Sequence, residues 1–168
     1  MSLPVESSRE NYFNLLKHGS GMQDKLDKKD LQILYYLKDH SRDKISEIAI
    51  KTGIPRATVF ERLEKLKREK YITKFTLEVD YEKIGYPVLS YIFISYDSNS
   101  GVEQKDLCRK LADLDNVVSC SIVSGDWDFL TLSVHESMRD LSEFVLVTLR
   151  SMPGIRRTIS LPVFEYMK

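Results

Sequence analysis

Two groups of residues in this chain have the types and spacing to do chemistry. The first is a basic cluster behind the tight turn Gly53-Ile54-Pro55: Arg56, Arg62, Lys65, Lys67, Arg68, Lys70 and Lys74. Cations gathered there suit contact with nucleic-acid phosphates. They also fit a solvated helix face, because Glu61, Glu64 and Glu69 interleave at spacings that pair along a helix. The second group is the turn Gly125-Asp126-Trp127-Asp128. Two carboxylates beside an aromatic ring can hold the ammonium and apolar parts of a small amphoteric ligand, although Gly and Asp also build ordinary hairpin turns.

Catalysis finds less support. His18, His40 and His135 are dispersed, and no phosphate loop, nucleophile elbow or metal-ligand spacing occurs. Cys108 and Cys120 form no metal-type pair and are too few for a disulfide framework, which points to a reducing, intracellular setting. The expectation is no catalytic residue, no metal and no cofactor; a Cys-His pair assembled by folding stays open.

Apolar periodicity predicts three helices around the basic cluster. Asp27 is a good N-cap, Asp30 sits in the first turn, and Leu26 and Leu31 stand at the staple positions; Leu31, Leu34 and Leu37 then mark a helix from about Lys28 to His40. Ile45, Ile48 and Ala49 form one face of a shorter helix that stops at Gly53, and Pro55 opens a third with Val59, Leu63 and Leu66 inward. This is a helix-turn-helix pattern. It leaves Arg56, Ala57, Thr58, Phe60, Glu61, Arg62 and Lys65 for the outer surface of the third helix. Arg56 can reach a guanine edge through two hydrogen bonds, and Ala57 or Thr58 can offer a methyl to thymine. Phe60 either meets a base edge or packs on the second helix. Lys44 and Ser46, at the start of the second helix, suit phosphate contacts that position without specifying.

Residues 1–21 read as an extension, in which Ser7 to Glu10 has a capping-box pattern and His18 to Gly21 forms a joint; a short docking helix and a simple tail both fit. After Lys70 the period becomes two. Across Ile72 to Asp80, Phe75, Leu77 and Val79 alternate with Lys74, Thr76 and Glu78, the pattern of a half-exposed strand. The predicted divisions are 22–75 for the helical domain, 76–87 for a linker strand and 88–168 for a second domain. Within the last, a strand (88–96), helix (102–114), strand (117–123), strand (129–135), Ser137-capped helix with Leu141, Phe144, Val145 and Leu149 inward, and strand (155–166) give a β-α-β-β-α-β order. Its final strand, with Pro162, belongs at an edge. The first strand sets Leu89, Tyr91 and Phe93 against Val88, Ile92 and Ile94; one apolar face must cover the two helices, so the other is expected to meet a partner subunit.

The 168 residues are 42% apolar and 30% charged, with 7 Phe, 9 Tyr and 1 Trp, enough apolar area for one or two packed domains. The most apolar run, Tyr86 to Tyr96, is about half of the roughly 20 residues a membrane helix needs, and the start lacks a signal peptide's apolar stretch. A cytoplasmic chain without membrane association is expected. The net charge of zero hides a division: residues 22–75 carry 14 basic and 9 acidic groups, whereas residues 76–168 carry 9 and 14. A helical domain at +5 and a second domain at −5 favour docking on DNA by the basic half alone.

Taken in order, these segments resemble the Lrp/AsnC, or feast/famine, transcriptional regulators. The resemblance rests on Leu26-Asp27 to Asp30, Ile33-Leu34 and Leu37; on Glu47-Ile48-Ala49 to Gly53-Ile54; on Arg62-Leu63 and Leu66; and on Val79-Asp80 to Gly85. Gly125-Asp126-Trp127-Asp128 is similar to the family's Gly-x-Tyr-Asp signature, and Met152-Pro153-Gly154-Ile155 with Thr158 to its pre-terminal motif. Coverage is about residues 24–168. The resemblance implies an α+β chain: a winged-type helix-turn-helix joined by a linker strand to a βαββαβ, ferredoxin-like, ligand-sensing (RAM) domain that forms homodimers through its sheet and often octamers. It also implies double-stranded DNA as partner, read by two third helices in successive major grooves about 34 Å apart. The implied effector is an amino acid or related metabolite, held near Gly125, Asp126, Trp127 and Asp128. Three departures stand out. Trp127 replaces the usual Tyr and removes a hydroxyl. Pro55 replaces the usual Ser, leaving the third helix without a side-chain cap worth about 1 kcal/mol. Lys70 replaces a common Gly, so the end of that helix must tolerate a costlier backbone angle or differ in shape. The alternatives are an effector-independent architectural DNA binder and a tetrapyrrole decarboxylase-like enzyme on the same fold, which needs basic and His side chains where this chain is acidic with only His135.

Overall fold

The computed structural model describes residues 26–165. The expectation for residues 1–21 lies outside them, whereas the final strand, expected to reach Tyr166, already ends at Pro162, with residues 163–165 irregular. The chain divides between Leu77 and Glu78 into two compact units, each with its own core.

The first unit holds α1 (Lys28–Asp39), α2 (Ile45–Thr52) and α3 (Arg56–Arg68). The Asp27 carboxylate accepts from the amides of Lys29 at 2.9 Å and Asp30 at 3.0 Å, and Asp30 accepts in return from the Asp27 amide at 3.2 Å. This reciprocal capping box fixes where α1 begins. α2 stops at Gly53, whose φ of 69° lies in the left-handed region. As the sequence suggests, α3 follows Pro55 with no side-chain cap. Ile33, Ile48, Ile54, Val59, Leu63 and Leu66 fill the space between the helices. At the end of α3, Lys70 has φ 61°, the one positive value at a non-glycine residue among the described residues. Its amide donates to the Lys67 carbonyl at 3.0 Å and that of Ile72 to Leu66 at 3.1 Å, so helix closure holds the angle a glycine would adopt more cheaply.

One carboxylate ties α1 to α3. Asp30 has no solvent exposure, yet Arg62 Nη1 stands 2.9 Å from its Oδ1 and Lys65 Nζ 3.4 Å from its Oδ2. The same Arg62 nitrogen lies 2.6 Å from Asp27 Oδ2. Slight burial raises the Asp27 carboxyl, but the Asp30 amide and Arg62 outweigh it and hold the group below its ordinary value.

The expected strand over Ile72–Asp80 does not form. Residues 73–80 join no ladder, and Phe75, Leu77 and Val79 are 48%, 72% and 36% exposed. Alternation supplies two faces, but a strand also needs a neighbour, and no strand precedes Val88 among the described residues. For the same reason they contain no two-stranded wing.

The second unit runs β1 (Val88–Tyr96), α4 (Gln104–Ala112), β2 (Val117–Ile122), β3 (Phe129–His135), α5 (Met138–Glu143) and β4 (Ile155–Pro162). The four strands form one antiparallel sheet in the order β2-β3-β1-β4. Pro162 lies opposite Ser90 on the edge strand β4, where a missing amide donor is tolerated. Both helices pack on the sheet face bearing Ile92, Ile94 and Phe129. Beyond Glu143 the helix widens into a π-helical coil over Phe144–Leu149. A five-residue turn sets Leu149 above Phe144 and buries both, where regular helical spacing would favour Thr148. Alternation puts Leu89, Tyr91 and Phe93 on the opposite face, beside Leu130, Leu132, Ile159 and Leu161, the last two 44% and 50% exposed.

Buried polar groups are linked in a relay. Ser133 Oγ donates to the Ser90 carbonyl at 3.3 Å, His135 Nε2 stands 3.0 Å from that hydroxyl, and His135 Nδ1 lies 3.3 Å from Asp140 Oδ2. Burial pulls His135 below its ordinary 6.5 more strongly than Asp140 raises it.

Two outcomes follow for urea unfolding. Arg62→Met keeps the apolar stem but leaves Asp30 with the Asp27 amide and the partly exposed Lys65, and should cost about 2 kcal/mol, less than a fully buried broken pair because those partners remain; no loss would contradict the tie. The unfolded chain also takes up a proton at His135 near pH 6.5, before the folded chain does. This contribution is therefore full above that pH and declines as pH falls from 6.5 through the lower folded value. The urea midpoint should drop between about pH 7.5 and pH 5, and drop less in His135→Gln.

Candidate nucleic-acid interface and effector turn

The start of α3 is presented to solvent. Ala57 and Arg56 are exposed, Thr58 is half-buried, and on the next turn Glu61 and Phe60, the latter 52% exposed, continue the same surface. Val59, Leu63 and Leu66 anchor the opposite side, so core packing sets the helix rotation. Phe60 is therefore not enclosed by α2. Lys44 is exposed and Ser46 half-buried at the start of α2, where the Glu47 carboxylate accepts from the Lys44 amide at 2.8 Å.

Two residues of the expected set are engaged differently. Arg62 and Lys65 point their cations at Asp27 and Asp30, which sequence spacing did not reveal because the partners lie 32 and 35 residues away. The signal that could have found the tie is a buried carboxylate one turn into α1, which must attract cations from a packed neighbour. Further along, Lys67 pairs with Glu64 at 2.9 Å and Arg68 with Glu69 at 3.7 Å, which bears out part of the solvated-face reading.

In the second unit, Gly125, with φ 123°, opens the chain path between β2 and β3. Asp128 anchors the turn: its carboxylate accepts from the Tyr96 amide at 2.7 Å, its amide donates to the Ile94 carbonyl at 3.1 Å, and its carbonyl accepts from Val123 at 2.9 Å. Asp126 and Asp128 thus differ in role, since Asp126 is exposed while Asp128 ties the turn to β1. Trp127 lies between the Phe93 ring, with centroids 6.0 Å apart, and the Arg157 guanidinium, 4.4 Å above its own centroid. Arg157 is a residue that sequence reasoning missed; its only hint is the Arg156-Arg157 doublet within an acidic half. The turn therefore presents a cation, an aromatic surface and a carboxylate in one place.

Ser133, His135 and Asp140 stand in nucleophile-base-carboxylate order, but Ser133 and His135 are fully buried. Sealed in the sheet core, the pair offers no surface at which a substrate could meet it. Among the described residues no three His, Cys, Asp or Glu side chains gather to hold a metal, and no helix is long and apolar enough to cross a membrane.

Comparison with known proteins matches residues 26–73 to a winged helix-turn-helix DNA-binding domain and residues 89–168 to the Lrp/AsnC ligand binding domain. An uncharacterised HTH-type transcriptional regulator of Pyrococcus furiosus is 32% identical over 147 residues, covering 88% of this chain and 98% of that protein. Among solved structures, LrpC of B. subtilis superposes with a TM-score of 0.75 at 25% identity, over 86% of this chain and 98% of that one. A transcriptional regulator from Neisseria meningitidis, solved as an L-Met complex, gives a TM-score of 0.79 at 23% identity over 86% of this chain and 93% of that one. With helix-turn-helix and ligand-binding domains both matched, and a relative aligned along nearly its whole length, the chain belongs to the Lrp/AsnC family of DNA-binding transcriptional regulators.

Proposed function

We propose that this regulator binds a specific operator through the exposed first two turns of α3, and that an amino acid or related small metabolite at residues 125–128 shifts its assembly or operator affinity. The observation that carries the DNA reading is the outward presentation of Arg56, Ala57, Thr58, Phe60 and Glu61 behind the Gly53 turn. Arg56 reads a base edge, Ala57 and Thr58 offer methyls, and Lys44 and Ser46 meet the backbone. Arg62 and Lys65 act by holding α3 against α1, a positioning role in place of the phosphate contact that charge alone suggests.

The apolar sheet face of Tyr91, Phe93, Leu132, Ile159 and Leu161 is the surface for a homodimer, with octamers built from dimers. A cytoplasmic location belongs to this reading, supported by DNA as the partner. At the effector turn, Arg157 and Asp126 suit the carboxylate and ammonium of an amino acid, with Trp127 and Phe93 against its side chain. The likeness to a regulator solved with L-Met supports this class of ligand.

If a dimer neutralises about six phosphates, log affinity should fall against log salt with a slope near −5; a flat response would contradict DNA docking. Arg56→Ala should relax preference at one base position by about 1–3 kcal/mol across operator variants, and an even loss at all of them would remove its reading role. In calorimetric titration with the common amino acids, one should bind the wild type and bind at least tenfold more weakly to Arg157→Met, which removes the charge; no binding to a folded oligomer would leave an effector-independent DNA binder.

A further inference from the structure

Apart from these two sites, the fold brings together the chain's two cysteines. Cys108 on α4 and Cys120 on the edge strand β2 lie 12 residues apart, and the Cys108 thiol donates to Cys120 Sγ with the sulfurs 3.3 Å apart. Both are free cysteines at half-buried positions on the margin of the core. We propose that Cys108 and Cys120 are a redox modification site, where a low-molecular-weight disulfide converts the two thiols to an intramolecular disulfide joining α4 to β2.

The distance selects this chemistry. A disulfide holds its sulfurs about 2.05 Å apart, so closing the gap takes little more than 1 Å, within the range of small side-chain rotations. A thiolate metal site is tetrahedral, with its sulfurs roughly 3.8 Å apart and further ligands closing the sphere, and no third ligand gathers here among the described residues. Burial, with the charge of Cys108 beside it, pushes the Cys120 thiol up to about 12. A thiol held protonated is a poor first nucleophile, so Cys120 serves as the resolving group.

The Cys108 thiolate attacks one sulfur of the reagent, expels the other as a thiolate and forms a mixed disulfide. With the charge on Cys108 removed, part of what suppresses Cys120 ionisation is gone. Cys120 then loses its proton to solvent, attacks the Cys108 sulfur and expels the second thiolate. Two protein thiols lose two protons and two electrons, and the reagent disulfide becomes two thiols. The product closes the segment that ends α4 and starts β2, fixing helix to sheet edge. Two cysteines packed only as small apolar side chains would not react this way.

The test treats the reduced full-length chain with oxidised glutathione, alkylates residual thiols and records the intact mass. The expected product has lost two hydrogens, carries no alkyl group or glutathione, yields a cross-linked Cys108–Cys120 peptide and reverts with dithiothreitol. Its melting temperature should exceed that of the reduced protein by several degrees. Cys108→Ala and Cys120→Ala should each leave one reactive thiol and lose that shift. Two free thiols after prolonged exposure, stable glutathione adducts or cross-links between chains would each overturn the proposal, and the wild-type arm decides it even if a variant fails to fold.

Discussion

A carboxylate sealed from water must be met by cations or lose its charge, and Asp30 is so sealed. Its place in the capping box fixes it at the start of α1, and its partners Arg62 and Lys65 come from α3. Apolar packing of Val59, Leu63 and Leu66 decides which side of α3 faces inward. Ion pairs to one fixed carboxylate add a second, polar tie between α1 and α3. The exposed first turns of α3 are therefore held in position from their other end.

This changes the meaning of the charge division along the chain. The basic excess of the first domain includes cations already matched to Asp27, Asp30, Glu64 and Glu69. The exposed cations not in those pairs include Arg56 at the start of α3 and Lys44 at the start of α2. The second domain divides its carboxylates in a similar manner: Asp128 builds the turn, and Asp126, next in sequence to Trp127, is left on the surface. In both domains one acidic group organises the backbone so that neighbouring groups are presented.

Features written in local sequence are legible from the residues alone. The Asp27 cap, the Gly53 stop, the strained end of α3 at Lys70, the Ser137 cap and the edge position of Pro162 each depend on residues within a few positions. What escaped depends on contacts between distant segments. Asp30 meets Arg62 across 32 residues, and Arg157 reaches Trp127 from another strand. The contact of Cys108 with Cys120 required the packing of α4 on β2. The segment after Lys70 misled for a related reason: alternation over Ile72–Asp80 describes a strand's faces but cannot supply the neighbouring strand.

The claim that Asp30 turns two cations of α3 into positioning groups is tested most directly by the salt dependence of DNA affinity in Lys65→Met, compared with the wild type. Each phosphate contact contributes a slope of about −0.9. If Lys65 holds α3 to Asp30, the variant's slope should equal that of the wild type, whatever the change in overall affinity. A slope shallower by about 1.8 for the dimer, about 0.9 from each subunit, would show that Lys65 neutralises a phosphate, and would contradict the account.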